Sequence, residues 1–257
     1  MRPGINAVRE TRIMMGMPII VEVIDASADA ELLELVFAYF DYVDRKFSTY
    51  KDDSEISRIN RGELALAGSS EDMQTIFALA ERTKKATDGY FDIRRDGCYD
   101  PSGIVKGWAI FNAADILRGK GCQNYYVDAG GDIQVAGKNA RGQDWRVGIQ
   151  NPFDPQQIVK VLSVSDCGVA TSGTYVRGGH IYNPKESGQL VTDIVSLTVV
   201  GPDIYQADRF ATAAFAMGPA GISFIENLEG FEGYSIDREG LATYTTNFER
   251  YVQHENH

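Results

Sequence analysis

The sequence predicts an α+β fold, and three observations carry that prediction. Segments of helical and strand-like periodicity are interspersed without the steady strand–helix–strand alternation of a parallel sheet. Several strand candidates are joined through tight glycine turns, as in hairpins. No repeat, low-complexity tract or long linker divides the 257 residues. One domain over 1–257 is expected, with a core from about 12 to 246 and a polar tail at 247–257.

The elements follow in order. Residues 18–24, PIIVEVI, read as a strand, and 28–47 show a 3.6-residue apolar period that reads as a long helix. Ser54 can N-cap a short helix within FSTYKDDSEISRIN. A second long helix spans 70–86, capped by Ser69 or Ser70 and broken at Gly89. A third covers 105–118. NYYVDAGGDIQVAG reads as strand, glycine turn, strand, and WRVGIQNP and IVKVLSVSD are further strands. VATSGTYVRGGHIYNPKESGQ is loop-rich, VSLTVVG is a buried strand, and 205–217 is a helix. Short helix and strand candidates finish the chain.

Composition excludes several classes. A net charge of −11 argues against a nucleic-acid binder and disfavours anionic membrane surfaces. No apolar run reaches the ~20 residues of a membrane span. Three cysteines without a CxxC fit a reducing compartment. The first sixteen residues carry no secretory pattern. A cytoplasmic protein with free thiols is the expectation.

Several stretches carry possible chemistry. In DPSGIVKGWA, Lys106 sits near a helix start. It is either a solvated charge or part of an anion site, where helix-end N–H groups add a partial positive charge. In YQADRFATAAFAMG, Asp208 and Thr212 are i and i+4, so their side chains share one helix face. They either satisfy the helix itself or offer hard oxygen ligands to Mg²⁺. DAGGDIQVAG sets Gly130 and Gly131 between two aspartates, for a hairpin or a close ligand approach. His180 stands in a glycine-rich loop, with Tyr182 close by in sequence. It is a catalytic candidate or a packed histidine.

The order of these motifs resembles the ApbE family, the FAD:protein FMN transferases. MGM (15–17), FSTYKDDSEISRIN, DPSGIVKGWA, DAGGDIQVAG, ATSGTYVRGGHIYNP and ADRFATA carry the likeness from about Met15 to Met217. The resemblance implies one compact domain with a mixed or antiparallel sheet packed with helices and FAD in a central cleft. It implies Mg²⁺-dependent transfer of FMN from FAD to a Thr hydroxyl of a target protein, with AMP released. Asp208, Thr212 and the carbonyl of Gly103 fall on the family's metal ligands. Met15, Tyr90, Phe91, Asp92, Asp100, Lys106 and Tyr182 fall on its FAD contacts. His180, with Asp208 and Lys106, falls in the catalytic set. Lys106 would then meet the FAD pyrophosphate or its nearby nucleotide.

The chain departs from the family pattern in three places. No signal or lipobox cysteine is seen, a segment after the FD motif is short, and Met17 stands where the family commonly has Thr. An FAD pyrophosphatase giving FMN and AMP, or a non-catalytic FAD-binding protein, are the alternatives.

Overall fold

In the computed structural model, residues 7–174, 182–185 and 189–253 are described. The hairpin β1 (Val8–Met14) and β2 (Met17–Val23) precedes helix α1 (Ala30–Phe47). Helices α2 (Glu55–Asn60) and α3 (Glu71–Ala86) lead to a small hairpin, β3 (Arg94–Arg95) and β4 (Cys98–Tyr99). Helix α4 (Ser102–Gly119) is followed by β5 (Tyr125–Ala129) and β6 (Asp132–Ala136). The long hairpin β7 (Trp145–Asn151) and β8 (Asp154–Val164) comes next, then β9 (Cys167–Gly173). The pair β10 (Tyr182–Asn183) and β11 (Gln189–Leu190) is short. Strand β12 (Ile194–Gly201), helices α5 (Ile204–Ala216) and α6 (Gly221–Glu226), and strands β13 (Glu232–Asp237) and β14 (Ala242–Tyr244) follow.

Eight strands make the central sheet in the order β1-β2-β5-β6-β9-β12-β13-β14. Every neighbouring pair is antiparallel. Side chains alternate across the sheet, and each face has its own core. Val127 and Ala129 of β5, with Leu197 and Val199 of β12, meet the helices. Ile133 and Val135 of β6, with Val200 of β12, meet the β7–β8 hairpin through Trp145, Val147 and Leu162. The molecule is therefore three layers: helices, sheet, hairpin.

Local signals explain the helices. Asp29 caps α1 by accepting from Leu32 N–H, and Ser70 caps α3 through Met73 N–H. Leu33, Val36, Phe37, Phe40 and Val43 give α1 its buried stripe. Helix α4 is buried on most sides, from Ile104 and Val105 to Ala113 and Leu117. It is thus the central helix of its layer.

Two expectations are corrected. VATSG is strand in the middle of the sheet, not loop: Val169 to Ser172 pair with β12. Its small residues suit a position beneath α5, where a Cβ at Gly168 would lie 2.1 Å from Ile204 N. The tail at 247–257 is not wholly polar, because Phe248 is fully buried and stacks on Tyr234 at 5.3 Å. One apolar ring every several residues gives no periodicity to read. Strand β1 also begins at Val8, ahead of the expected core boundary.

Helices α4 and α5 touch at Gly107. A Cβ there would fall 2.7 Å from Asp208 Cβ and 2.9 Å from the Ile204 carbonyl oxygen. Gly107→Ala should therefore destabilise the fold by about 1–3 kcal/mol through overpacking. Gly119, at the end of the same helix, has open space around it. Gly119→Ala should be neutral or stabilise by up to about 1 kcal/mol. Urea midpoints of the two variants against the parent check the contrast.

Candidate functional site

The α4–α5 contact brings two i,i+4 pairs face to face. Gly103 and Gly107 lie on α4, Asp208 and Thr212 on α5. Gly103 is close against Thr212: a Cβ on it would be 3.3 Å from Thr212 Cγ2 and 3.8 Å from its Oγ1. Gly107 N–H donates to Asp208 Oδ2 at 2.7 Å. A regular helix directs that N–H to the carbonyl four residues back, Gly103. The Asp208 carboxylate and the Thr212 side chain thus both lie against the glycine face of α4.

Lys106, one position before Gly107 on α4, forms an ion pair with Asp132, and the two side chains are 20% and 2% exposed. Asp132 is the first residue of β6, directly after the Gly130–Gly131 turn. Both turn residues have positive φ, 63° and 94°, and Ala129 pairs with Asp132, so this is a two-residue type I′ turn. Asp132 Oδ1 also accepts from Thr171 N–H of β9 at 3.0 Å. Asp132 and Asp208 are close enough to influence one another electrostatically. Two buried carboxylates and one ammonium therefore share the crossing.

Burial raises the Asp208 carboxyl well above the usual carboxylate range; Lys106 opposes the shift and Asp132 adds to it. Burial likewise raises Asp128, while Gly131 N–H, donating at 2.8 Å, pulls the other way.

The second glycine turn lies beside the first. Met15 and Gly16 link β1 to β2 with φ of 53° and 74°, again type I′. A left-handed backbone costs a non-glycine residue roughly 1–2 kcal/mol. Met15 offsets this by packing its side chain against the helical core. Gly130 N–H donates to the Pro18 carbonyl at 3.0 Å, which ties the two turns together.

The remaining sequence candidates sit around the start of α4. Asp100 is exposed and accepts from Ser102 N–H at 3.0 Å, shaping the helix entry. Asn60 clamps the residue before it, accepting from Tyr99 N–H at 2.7 Å and donating to its carbonyl at 2.9 Å. Phe91 is buried and lies under Gly103, whose Cβ would be 3.4 Å from its ring. Asp92 is held by Lys84 at 2.6 Å. Tyr90 is partly buried with Lys185 over its ring at 4.6 Å, and Lys185 also pairs with Asp88 at 2.7 Å. His180 and the side chain of Tyr182 lie outside the described residues.

Gly103, Lys106, Asp208 and Thr212 are thus brought together, with Phe91 behind them. Lys106 meets a carboxylate of the protein. Sequence reasoning missed Asp132 and Asn60. The DAGGD spacing held the signal for Asp132, because a two-residue turn puts the following aspartate at a strand start beside the turn. Among the described residues, Cys98, Cys122 and Cys167 are free thiols, as expected. No helix among them is long and apolar enough to cross a membrane. A cavity of about 380 Å³ lies along the C-terminal half of α4, lined in part by Phe111, Arg118, Cys122, Gln134 and Asp203. It contains none of the sequence candidates.

Fold and site together define a single-domain α+β protein with a buried, oxygen-rich site between two crossing helices. The description "ApbE family" fits residues 15–97 and 94–234, and the chain belongs to that family. The FAD:protein FMN transferase of Escherichia coli (strain K12) is 27% identical over 279 residues, covering 84% of this chain and 80% of that protein. The one from Haemophilus influenzae is 26% identical over 240 residues, 68% of this chain and 69% of that protein. Among solved structures, the flavin transferase ApbE from Vibrio cholerae superposes with a TM-score of 0.83 at 24% identity, covering 96% of this chain and 100% of that one. The ApbE protein from Thermotoga maritima gives 0.86 at 19%, covering 97% and 100%. At these identities the structural likeness establishes the fold.

The raised Asp208 carboxyl has a consequence for the metal-free protein. A carboxyl that binds its proton more tightly in the fold than in the unfolded chain costs stability once pH passes the unfolded value. Stability of the metal-free protein should fall as pH rises above the ordinary carboxylate range, and Asp208→Asn should flatten that fall. Urea midpoints with chelator present at about pH 5 and about pH 8, bracketing the usual optimum, measure it. A slope identical in the two proteins would contradict the assignment.

Proposed function

We propose that this chain is an FAD:protein FMN transferase. A hydroxyl oxygen of another protein bonds to the FMN phosphorus of FAD, the pyrophosphate bond breaks, and AMP leaves. The observation that carries this reading is the packing of Asp208 and Thr212 of α5 against Gly107 and Gly103 of α4, in a chain of the ApbE family. A protein that only stored FAD would not need a hard-oxygen site at that point.

The donor set fits Mg²⁺, which prefers oxygen ligands and keeps part of its shell for substrate and water. Among the described residues no three His, Cys, Asp or Glu side chains form a metal cluster, so a cation here draws on the Thr212 hydroxyl and the Gly103 carbonyl besides Asp208. Bound there, Mg²⁺ supplies neutralisation of the charge that builds on the phosphoryl and bridging oxygens.

The protein's own groups supply the rest. The start of α4 presents N–H groups and its partial positive charge toward an anion. Asp100 and Asn60 fix how the chain enters that helix. Lys106 stands one turn in, paired with Asp132, and is the proposed contact for the nucleotide phosphates. Met15, Tyr90, Phe91, Asp92 and Tyr182 are the proposed walls for the flavin nucleotide, with Phe91 as the buried floor under Gly103. His180 is the proposed acceptor of the proton from the attacking hydroxyl, a threonine on the target protein in this reading.

Incubation with FAD, Mg²⁺ and a threonine-containing acceptor protein tests the proposal, with AMP release and in-gel flavin fluorescence followed together. Covalent flavin and AMP should appear in equal amounts. Asp208→Ala should lower the rate by at least about 100-fold, or about 2.7 kcal/mol of barrier. AMP without covalent flavin would make the protein a hydrolase, and no FAD binding at all would remove the reading.

A further inference from the structure

Asp132 stands out among the buried groups. It is 1% exposed and touches three elements at once: its own strand β6, Thr171 of β9 and Lys106 of α4. The type I′ turn ahead of it fixes its backbone, and the Thr171 N–H fixes one of its oxygens. The other oxygen faces the Lys106 ammonium. Asp208, one helix away, has its Oδ2 on Gly107 N–H, a neutral donor that is one residue along from Lys106.

We propose that Asp132 is a positioning residue that draws the Lys106 ammonium off Asp208 and so keeps the Asp208 carboxylate available to a divalent cation. The proposal rests on the reading of Asp208 as a metal ligand. Its argument is one of charge. With Asp208 ionised, as cation binding requires, Asp132, Asp208 and Lys106 sum to −1, a sum that favours a cation. If Asp132 lost its charge, the sum would be zero. Lys106 and Asp208 would be the opposite charges left facing one another across the crossing. In a buried site such a pair is strong, because little water screens it. An entering cation would have to break it. The same lysine would then be an occupant of the metal position, where in the parent it is a neighbour held to one side.

Calorimetric titration of the FAD-free protein with Mg²⁺ alone tests this. Asp132→Asn should weaken Mg²⁺ binding by about 10- to 100-fold, the range seen when the partner of a metal-site group is removed. Adding Lys106→Met to that variant should restore binding to near the parent value. A merely structural role for Asp132 predicts no rescue, since the double variant loses still more contacts. Lys106→Met alone should bind Mg²⁺ at least as tightly as the parent, which keeps the proposal testable if Asp132→Asn fails to fold. Equal affinity of Asp132→Asn and parent, no rescue in the double variant, or lost binding in Lys106→Met would each overturn it. Asp208→Ala separates the two levels. If it binds Mg²⁺ like the parent, the metal reading falls and the positioning role falls with it. If only Asp208→Ala loses binding, the metal reading stands and the role of Asp132 does not.

Discussion

The hydrogen bond from Gly107 N–H to the Asp208 carboxylate depends on helices α4 and α5 approaching so closely that no Cβ fits between them. The rest of the site follows from that contact. The approach buries Asp208 and so raises its carboxyl. It sets Thr212, one turn on, against Gly103, and it aims Lys106 at the start of β6. A glycine at 107 is therefore a condition of the site and not a helix weakness. The roughly 1 kcal/mol that glycine costs a helix interior is offset by packing of two central helices on the sheet.

The sheet supplies the second constraint. Two type I′ turns, Met15–Gly16 and Gly130–Gly131, end neighbouring hairpins, and Gly130 N–H to Pro18 O ties the first to the second. A two-residue turn fixes register, and register decides which face each side chain takes. Asp132 points to the helical side because Ile133 must point to the β7–β8 hairpin. A one-residue slip would exchange them, burying the carboxylate in an apolar core. Antiparallel pairing thus places a charge beside α4 that helix packing alone could not.

Much of this was legible in the sequence. The amphipathic periods gave α1 and α3, Ser69 or Ser70 marked the start of α3, and Gly130–Gly131 gave one hairpin turn, while the Asp29 cap of α1 and the Met15–Gly16 turn went unread. The i,i+4 spacing of Asp208 and Thr212 was readable because a helix face is a local property. What was not readable is what depends on contacts distant in the chain. Lys106 could be placed near a helix start, yet nothing local told that Asp132 would meet it. VATSG read as loop because its small residues carry no apolar period, although they are small to let α5 lie on them. Phe248 read as tail because one buried ring has no periodic partner. His180 and the Tyr182 side chain fall outside the described residues, so the fold adds nothing to their sequence reading.

The central claim is that the α4–α5 crossing is a cation site built from one carboxylate, one hydroxyl and one main-chain oxygen. The most direct measurement is anomalous diffraction from crystals grown with Mn²⁺ in place of Mg²⁺. The account predicts one strong peak within coordination distance of Asp208, Thr212 and the Gly103 carbonyl, with Lys106 still on Asp132. A peak elsewhere, or none at the crossing while Asp208 remains on Gly107 N–H, would contradict it.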